Sequence, residues 1–398
     1  MHQILDSRQE ERIVPLFRLG FRPFFLLGAL FAMLAMLGWL GVLNSGFALP
    51  GITNPIWWHA HEMLFGFGSA IVAGFLLTAV QNWTGHPGIR GWPLALMVAL
   101  WALPRCLLPW LGEESYVLMV ADLAWLLLCT GFLAKPIMVT RQWRNLFFVP
   151  LLLILILLNG ASWLWHTQWT TIEHLLITTV LLFTTLIAVM GGRVIPFFTA
   201  RGTGQEKTAP MLWLERTALA SLWLILLSWL LLPNQWTTST YMVPLYIVAA
   251  GLHLWRQLRW RPSSTLSHPL LWSLQLAYLF IPLGLLAFAA QAAGLAMTLS
   301  MASHLLSAGC MGTMILAMMA RVSLGHSGRA LQVGHKISIA FTLVIAAALL
   351  RVTIPLLWPA YTLQGWNLSG LAWAGAYGLF VWVYAPILTR ARADGRPG

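Results

Sequence analysis

Charged residues are scarce in this sequence. Only 9% of its 398 residues are Asp, Glu, Lys or Arg, whereas soluble domains contain roughly 25%, so a soluble globular protein is excluded. Acidic residues are fewer than basic residues, 11 against 23, which gives a formal net charge of +12. Because the basic residues lie in short segments between apolar runs, this charge does not indicate binding to nucleic acid.

Cysteine is also rare, with three residues in the chain. Cys106, Cys129 and Cys310 all lie within apolar runs, where cysteine packs as a small hydrophobic residue. This pattern excludes a disulfide framework and a thiolate zinc site. Residues 1–23 lack the short apolar core and the cleavage site of a signal peptide, so we expect a cytoplasmic amphipathic segment there.

Long apolar runs make up most of the chain. Hydrophobic residues account for 59% of it, the mean hydropathy is +0.77 and there are 23 tryptophans, as in membrane proteins with aromatic belts. A hydrocarbon core of about 30 Å requires about 20 residues per helix. The sequence therefore predicts an all-α polytopic bundle of about twelve transmembrane spans, at 24–43, 62–81, 92–110, 116–138, 146–165, 171–192, 211–232, 237–255, 270–290, 297–320, 335–357 and 367–388. We expect one transmembrane domain over 1–398, with the bundle at 24–388 and a cytoplasmic tail at 389–398.

Basic residues alternate between the segments that connect these spans. They occur before the first span, at every second connection and after the last span. By the positive-inside rule, both termini are predicted to be cytoplasmic and 44–61 periplasmic. Arg105 and Arg351 break the pattern near the outer ends of spans three and eleven. They either extend their side chains to the membrane surface or bind an anionic group.

Ionisable residues within the spans gather near the periplasmic side of this topology. They are His59, His61 and Glu62 at the start of span two, Asp122 in span four, His174 in span six and His304 about 10 Å into span ten. Such residues are costly inside a bilayer and mark functional sites. Spans two and ten also share a weak repeat, in which a histidine is followed five residues later by glycine.

Five stretches together resemble the NnrS family. They are Phe17–Phe25 (FRLGFRPFF), Trp58–Gly66 (WHAHEMLFG), Gly191–Thr199 (GGRVIPFFT), Tyr278 with Ile281–Gly284 (IPLG), and Arg321–Arg329 (RVSLGHSGR). The resemblance covers nearly the whole chain and implies a bacterial inner-membrane protein with twelve spans, a haem, here expected to be b-type, and copper. It also implies a role in nitric oxide metabolism and resistance to nitrosative stress. Where we would expect a histidine in span nine, this chain has Gln275, which cannot supply an imidazole ligand.

The layout is more loosely similar to the catalytic subunit of haem–copper oxidases, which has twelve spans and outer ligands on spans two, six and ten. Span six here lacks a His-x3-Tyr pattern, span seven has no histidine and span ten has one. The copper site of those oxidases is therefore not present.

Histidines are the candidate metal ligands, because imidazole is a common ligand of haem iron and copper. They are His59, His61, His304, His174 and His326. Each has an ordinary alternative: the outer histidines can cap helices or bond headgroups, and His326 can hold the turn after span ten. On a regular helix His59 and His61 would point about 200° apart, so they would converge only at a helix start. We predict that His304 shares a metal with one of them.

Four charged residues suit supporting roles. Glu62 and Asp122 are candidates for bonding a ligating imidazole, although Glu62 can equally serve as a helix N-terminal acid or a proton carrier. Arg105 and Arg351 could bind haem propionates through charge-assisted bonds. Asp122 could pair with either arginine.

Two classes of function follow from these features. The favoured one is an inner-membrane haem and copper protein that binds nitric oxide or a related nitrogen oxide near the periplasmic face, within membrane lipid. Turnover as a haem-dependent oxidoreductase, sensing and sequestration all stay open, and turnover would require an electron donor in the membrane or periplasm. The alternative is a secondary transporter of a small solute or metal without a redox cofactor. An absorption band from the purified protein would favour the first.

Overall fold

The computed structural model describes residues 12–46 and 48–396, whose regular structure is helical. Twelve long helices follow one another within these residues. They are α1 (Phe21–Ser45), α2 (Pro55–Thr84), α3 (Trp92–Leu111), α4 (Tyr116–Val139), α5 (Trp143–Leu164), α6 (Trp169–Thr203), α7 (Leu212–Leu231), α8 (Val243–Leu258), α9 (Pro269–Ala292), α10 (Leu299–His326), α11 (His335–Leu357) and α12 (Pro359–Leu388). The predicted all-α polytopic fold is confirmed.

Helix α8 differs from the others in length. In the described chain, eleven helices are long and apolar enough to cross a membrane, and α8, with 16 residues, is not among them. It corresponds to the predicted span at 237–255 but begins at Val243, after a 3₁₀ turn. At about 1.5 Å per residue it is about 24 Å long, shorter than a hydrocarbon core of about 30 Å. The chain is therefore a multi-pass membrane protein in which α8 is the shortest of the twelve long helices of the described part.

The histidine-bearing helices begin at well-defined caps. Helix α2 starts at Pro55 rather than at residue 62, because the side chain of Asn54 accepts a hydrogen bond from the Trp57 N–H at 3.1 Å. Helix α10 starts in the same way, with Thr298 accepting from the Met301 N–H at 3.1 Å. His59, His61 and His304 therefore lie within the first two turns of these helices and not in loops.

Both helices change to π-helix directly after a histidine. Glu62–Gly68 follows His61, and Leu305–Gly312 follows His304. π-Helical segments are rare and frequently lie at functional sites. The repeat seen in the sequence of spans two and ten is therefore matched by the same change of backbone conformation at the same place.

Backbone contacts divide the chain into two compact units. The first comprises Met1–Leu176, Met319–Leu331 and Tyr377–Gly398, and the second comprises Ile177–Met318 and Gln332–Ala376. The first unit contains His59, His61, Glu62, Arg105, Asp122, His174 and His326, and the second contains His304 and Arg351. The predicted sharing of one metal by His304 and a histidine of α2 therefore concerns residues of different units, and it stays a prediction.

A buried arginine connects helices of the second unit. Arg256 on α8 is 2% exposed, and its Nε donates to Glu215 Oε2 of α7 at 2.9 Å. Nη1 donates to the Ala188 carbonyl of α6 at 2.9 Å and to the Tyr278 hydroxyl of α9 at 2.7 Å. A Cβ at position 192 would collide with the guanidinium. Packing against Arg256 therefore explains Gly192 of the stretch Gly191–Thr199.

One labelling experiment can test on which side of the membrane the C-terminus lies and whether α8 crosses the membrane. We expect a cysteine placed at Asn44 to be labelled by a membrane-impermeant maleimide from the periplasm, and one at Gly395 only after the membrane is permeabilised, because twelve crossings return the chain to the cytoplasm. The background should carry Cys106→Ser, since Cys129 and Cys310 are buried. Labelling of both positions from the same side would mean that α8 does not cross.

Candidate functional site

Arg105 of α3 lies between two buried carboxylates. Its Nε donates to Glu62 Oε2 at 3.1 Å, and its Nη1 donates to Asp122 Oδ1. The three side chains are at most 3% exposed. Gly66 permits this approach, because a Cβ there would meet Glu62 Oε2 and lie 3.3 Å from Arg105 Nε. The predicted pairing of Asp122 with an outer arginine is confirmed for Arg105.

Asp122 of α4 accepts three further hydrogen bonds. Trp125 and Trp163 each donate an indole N–H at 3.2 Å, and Asn159 Nδ2 donates at 3.0 Å. The carboxylate therefore connects α3, α4 and α5. We refer to Glu62, Arg105, Asp122, Asn159 and His61 as the Arg105 cluster.

His61 supplies the imidazole of the Arg105 cluster. Its Nε2 is 3.0 Å from Asn159 Oδ1, and Asn159 Nδ2 donates to Asp122, so the proton lies on Nε2. Nδ1 is buried without a hydrogen-bond partner and lies 3.6 Å from Glu62 Oε1. Aromatic rings enclose the imidazole, with centroids at 4.9 to 5.2 Å, from Trp57, Phe65 and Trp163. Any metal bound by His61 would have to use Nδ1, beside this carboxylate.

His59 faces a different helix. Its ring stacks on Trp39 of α1, with centroids 4.5 Å apart and planes at 17°, while His61 faces Asn159 of α5. The divergence expected from helical geometry is therefore present at the start of α2. The two histidines do not converge on one centre.

His304 and Arg351 of the second unit meet at Ser300. His304 Nδ1 donates to the Ser300 carbonyl at 2.6 Å, and Arg351 Nη2 donates to the Ser300 hydroxyl at 3.0 Å. The Arg351 guanidinium also lies 4.6 Å from the centre of a Trp366 ring. Among the described residues, no Asp or Glu lies within ion-pair distance of Arg351. A cation without an acidic partner therefore lies next to an imidazole whose tautomer is fixed.

The remaining candidate ligands lie elsewhere. His174 is a partly exposed residue in the second turn of α6. His326 ends α10, where its ring lies 5.6 Å from that of Phe21 and its carbonyl accepts from Arg392 at 3.0 Å. Arg392 also donates to both carboxylate oxygens of Asp394, and these bonds lower the pKa of Asp394 to about 2, so the ion pair persists at every physiological pH. These contacts favour a role for His326 in holding the turn.

His253 of α8 has both ring nitrogens occupied. Tyr278 accepts from Arg256 and donates to His253 Nδ1 at 2.7 Å, while His253 Nε2 donates to the Ala218 carbonyl at 2.8 Å. In the described chain, no group of three or more His, Cys, Asp or Glu side chains could hold a metal. A metal bound by this chain would therefore need other donors, such as a porphyrin or water.

Two residues that hold these sites together, one in the Arg105 cluster and one beside His304, were not predicted from the sequence. Asn159 interrupts the apolar run of α5, and this isolated amide was a signal that could have been used. Ser300 acts through both its backbone carbonyl and its hydroxyl, and no sequence pattern indicates the carbonyl.

The Arg105 cluster predicts a large cost for removing its cation. Arg105→Met should lower the stability by about 3–5 kcal/mol, because two carboxylates would stay buried without a positive partner. Thermal unfolding of the detergent-solubilised protein measures this. Arg144→Met, at an exposed position, is the control and should change little. Adding Asp122→Asn to Arg105→Met should restore part of the loss, and equal stability of Arg105→Met and wild type would contradict the assignment.

The chain was also compared with known proteins. A search of curated proteins finds no significant match. A family model described as NnrS protein matches residues 15–392, nearly the whole chain. The resemblance carried by the five sequence stretches is thereby confirmed, and it indicates a membrane protein related to nitric oxide. The chain belongs to the NnrS family.

Proposed function

We propose that this protein is an inner-membrane haem protein that binds nitric oxide or a related nitrogen oxide at a site containing His304. The observation that carries the proposal is the joining of His304 and Arg351 through Ser300. A haem is commonly held by an imidazole on its iron and by a cation beside its propionates, and this pair offers both.

His304 has the form that a ligating histidine requires. Its Nδ1–H is bonded to a backbone carbonyl, so in the neutral ring Nε2 carries the lone pair. Histidines that bind metals commonly fix their tautomer in this way. The change to π-helix directly after His304 supports the same site, because such segments frequently accompany function.

Arg351 suits a propionate better than Arg105 does. Arg105 is bonded to two carboxylates, so a propionate would have to compete with both. Arg351 is bonded to a serine hydroxyl and lies over an indole ring, and these neutral groups leave its charge uncompensated. An arginine fork also matches the geometry of a carboxylate.

A bound haem would supply the iron that takes up the gas. The protein would orient it through His304, balance its propionate charge through Arg351, and admit an apolar gas through apolar helices. The copper part of the proposal rests on the family resemblance, as the described chain holds no group of three or more His, Cys, Asp or Glu side chains that could bind such an ion by themselves. Turnover, sensing and sequestration are all compatible with this arrangement.

An optical spectrum of the detergent-purified protein, with metal analysis, tests the proposal. We expect a haem band that shifts when nitric oxide is added to the reduced protein. Protein that stays colourless after expression with sufficient haem would instead support the transporter interpretation.

The role of His304 leads to a specific prediction. His304→Ala should remove most of the haem, or change its spectrum, while the protein still inserts in the membrane. The readouts are haem per protein and the amount of full-length chain in the membrane fraction. His268→Ala, at an exposed position, is the control and should keep wild-type haem content. An unchanged spectrum in the His304 variant would remove His304 from the site.

Arg351 is predicted to retain the haem rather than to ligate it. Arg351→Ala should lower haem content after extended washing while leaving the band position of the remaining haem nearly unchanged, because the propionates lie away from the iron. Arg351→Lys should have a smaller effect, since it keeps the charge but not the fork. Arg216→Ala at an exposed position is the control. Equal haem content in all four proteins would show that Arg351 only extends to the membrane surface.

A further inference from the structure

His166 and Glu113, which belong to neither the Arg105 cluster nor the pair of His304 and Arg351, form a buried pair in the first unit. Both lie just outside long helices, Glu113 after α3 and His166 after α5. His166 is 8% exposed and Glu113 is 4% exposed. By the predicted topology, both segments lie on the periplasmic side.

The imidazole of His166 is oriented by its own backbone. Nδ1 donates to the Trp163 carbonyl at 2.8 Å, so in the neutral ring Nε2 carries the lone pair. Nε2 is buried without a hydrogen-bond partner. It lies 3.7 Å from Glu113 Oε1. A nitrogen lone pair and a carboxylate oxygen, both of which can bind a metal ion, therefore face each other.

The carboxylate of Glu113 is held in place by a neighbouring segment. Thr53 donates its hydroxyl to Oε1, and the Asn54 N–H donates to Oε2 at 3.3 Å. Asn54 Nδ2 also donates to the His166 carbonyl at 2.8 Å. These hydrogen bonds fix the imidazole and the carboxylate in place, and Nε2 and Oε1 each keep a lone pair for a further partner.

Charge distinguishes this pair from the similar one in the Arg105 cluster. His61 also faces a glutamate, but Glu62 has Arg105 as its cation. Within the described chain, Glu113 has no Lys or Arg within ion-pair distance, and His166 is the one basic side chain beside it. A buried carboxylate without a cation is costly, so the His166–Glu113 pair needs a positive partner.

We propose that a divalent transition-metal ion binds between His166 Nε2 and Glu113 Oε1, with water completing its coordination. Two ligands bound at about 2.0–2.2 Å to one ion lie about 3.3–3.5 Å apart at the tetrahedral angle, so at the observed 3.7 Å an ion would fit with that angle opened to about 120° or with the two side chains drawn together by a few tenths of an ångström. A proton shared between them would instead require a hydrogen bond of about 3.2 Å or less. The bond from Nδ1 to a carbonyl is the usual support of a ligating histidine, and nitrogen with carboxylate oxygen suits divalent zinc or copper.

Zinc is the probe of choice because it does not change its oxidation state. Full-length protein, purified through a tag without histidine and stripped with chelator, should bind one Zn²⁺ in equilibrium dialysis with elemental analysis. His166→Ala should weaken this binding by at least about tenfold, since even the loss of a supporting bond costs about 10- to 100-fold. Zn²⁺ should also raise the melting temperature of the wild type, because it binds the folded state.

Glu113→Gln provides a second, milder variant. It keeps an oxygen to accept from Thr53 but loses the charge, so it should weaken Zn²⁺ binding as His166→Ala does and decides the matter if that variant does not fold. His86→Ala and Glu206→Gln, at exposed positions, should bind like the wild type. Wild-type affinity in both site variants, or no Zn²⁺ binding by the wild type, would overturn the proposal. Haem content has no part in these measurements, so they fail or succeed independently of the proposed function.

Discussion

The constraint on which the first unit depends is that charge buried in a bilayer must be neutralised by protein. Arg105 meets it by lying between Glu62 and Asp122, and Asp122 is further satisfied by an amide and two indoles. These bonds join four helices, α2 to α5, at one place. Because an uncompensated ion there would cost several kcal/mol, the relative positions of the four helices follow largely from this requirement.

The need to neutralise buried charge also explains residues in several of the stretches that resemble the NnrS family, and it does so without a catalytic or ligand-binding role for them. Gly66 leaves room for the carboxylate and guanidinium of the Arg105 cluster, and Gly192 leaves room for Arg256. Tyr278 accepts from Arg256 and donates to His253. These residues of the recognised stretches therefore serve to build buried networks of charged and polar side chains.

The sequence predicted much of the fold because a bilayer imposes length and apolarity on every crossing helix. It predicted the span limits less well, because capping extends α2 to Pro55 and α6 continues to Thr203. The pairing of Asp122 with one of the two arginines that break the charge pattern could be predicted, whereas the depth assigned to the polar residues stays a prediction. Bonds through backbone carbonyls, such as that of Ser300, could not be predicted, because every residue has a carbonyl.

The bonding of each imidazole nitrogen separates the histidines by what they can still bind. His253 has both nitrogens bonded to protein atoms, so a metal could bind only after a hydrogen bond is lost. His61 has one nitrogen bonded and the other next to a carboxylate inside an aromatic wall. His304 has its Nδ1–H bonded within its own helix, near an arginine without an acidic partner in the described chain. The hydrogen bonds that orient each ring therefore separate these histidines more sharply than their predicted depth does, and they support the choice of His304 over His61 in the proposed haem site.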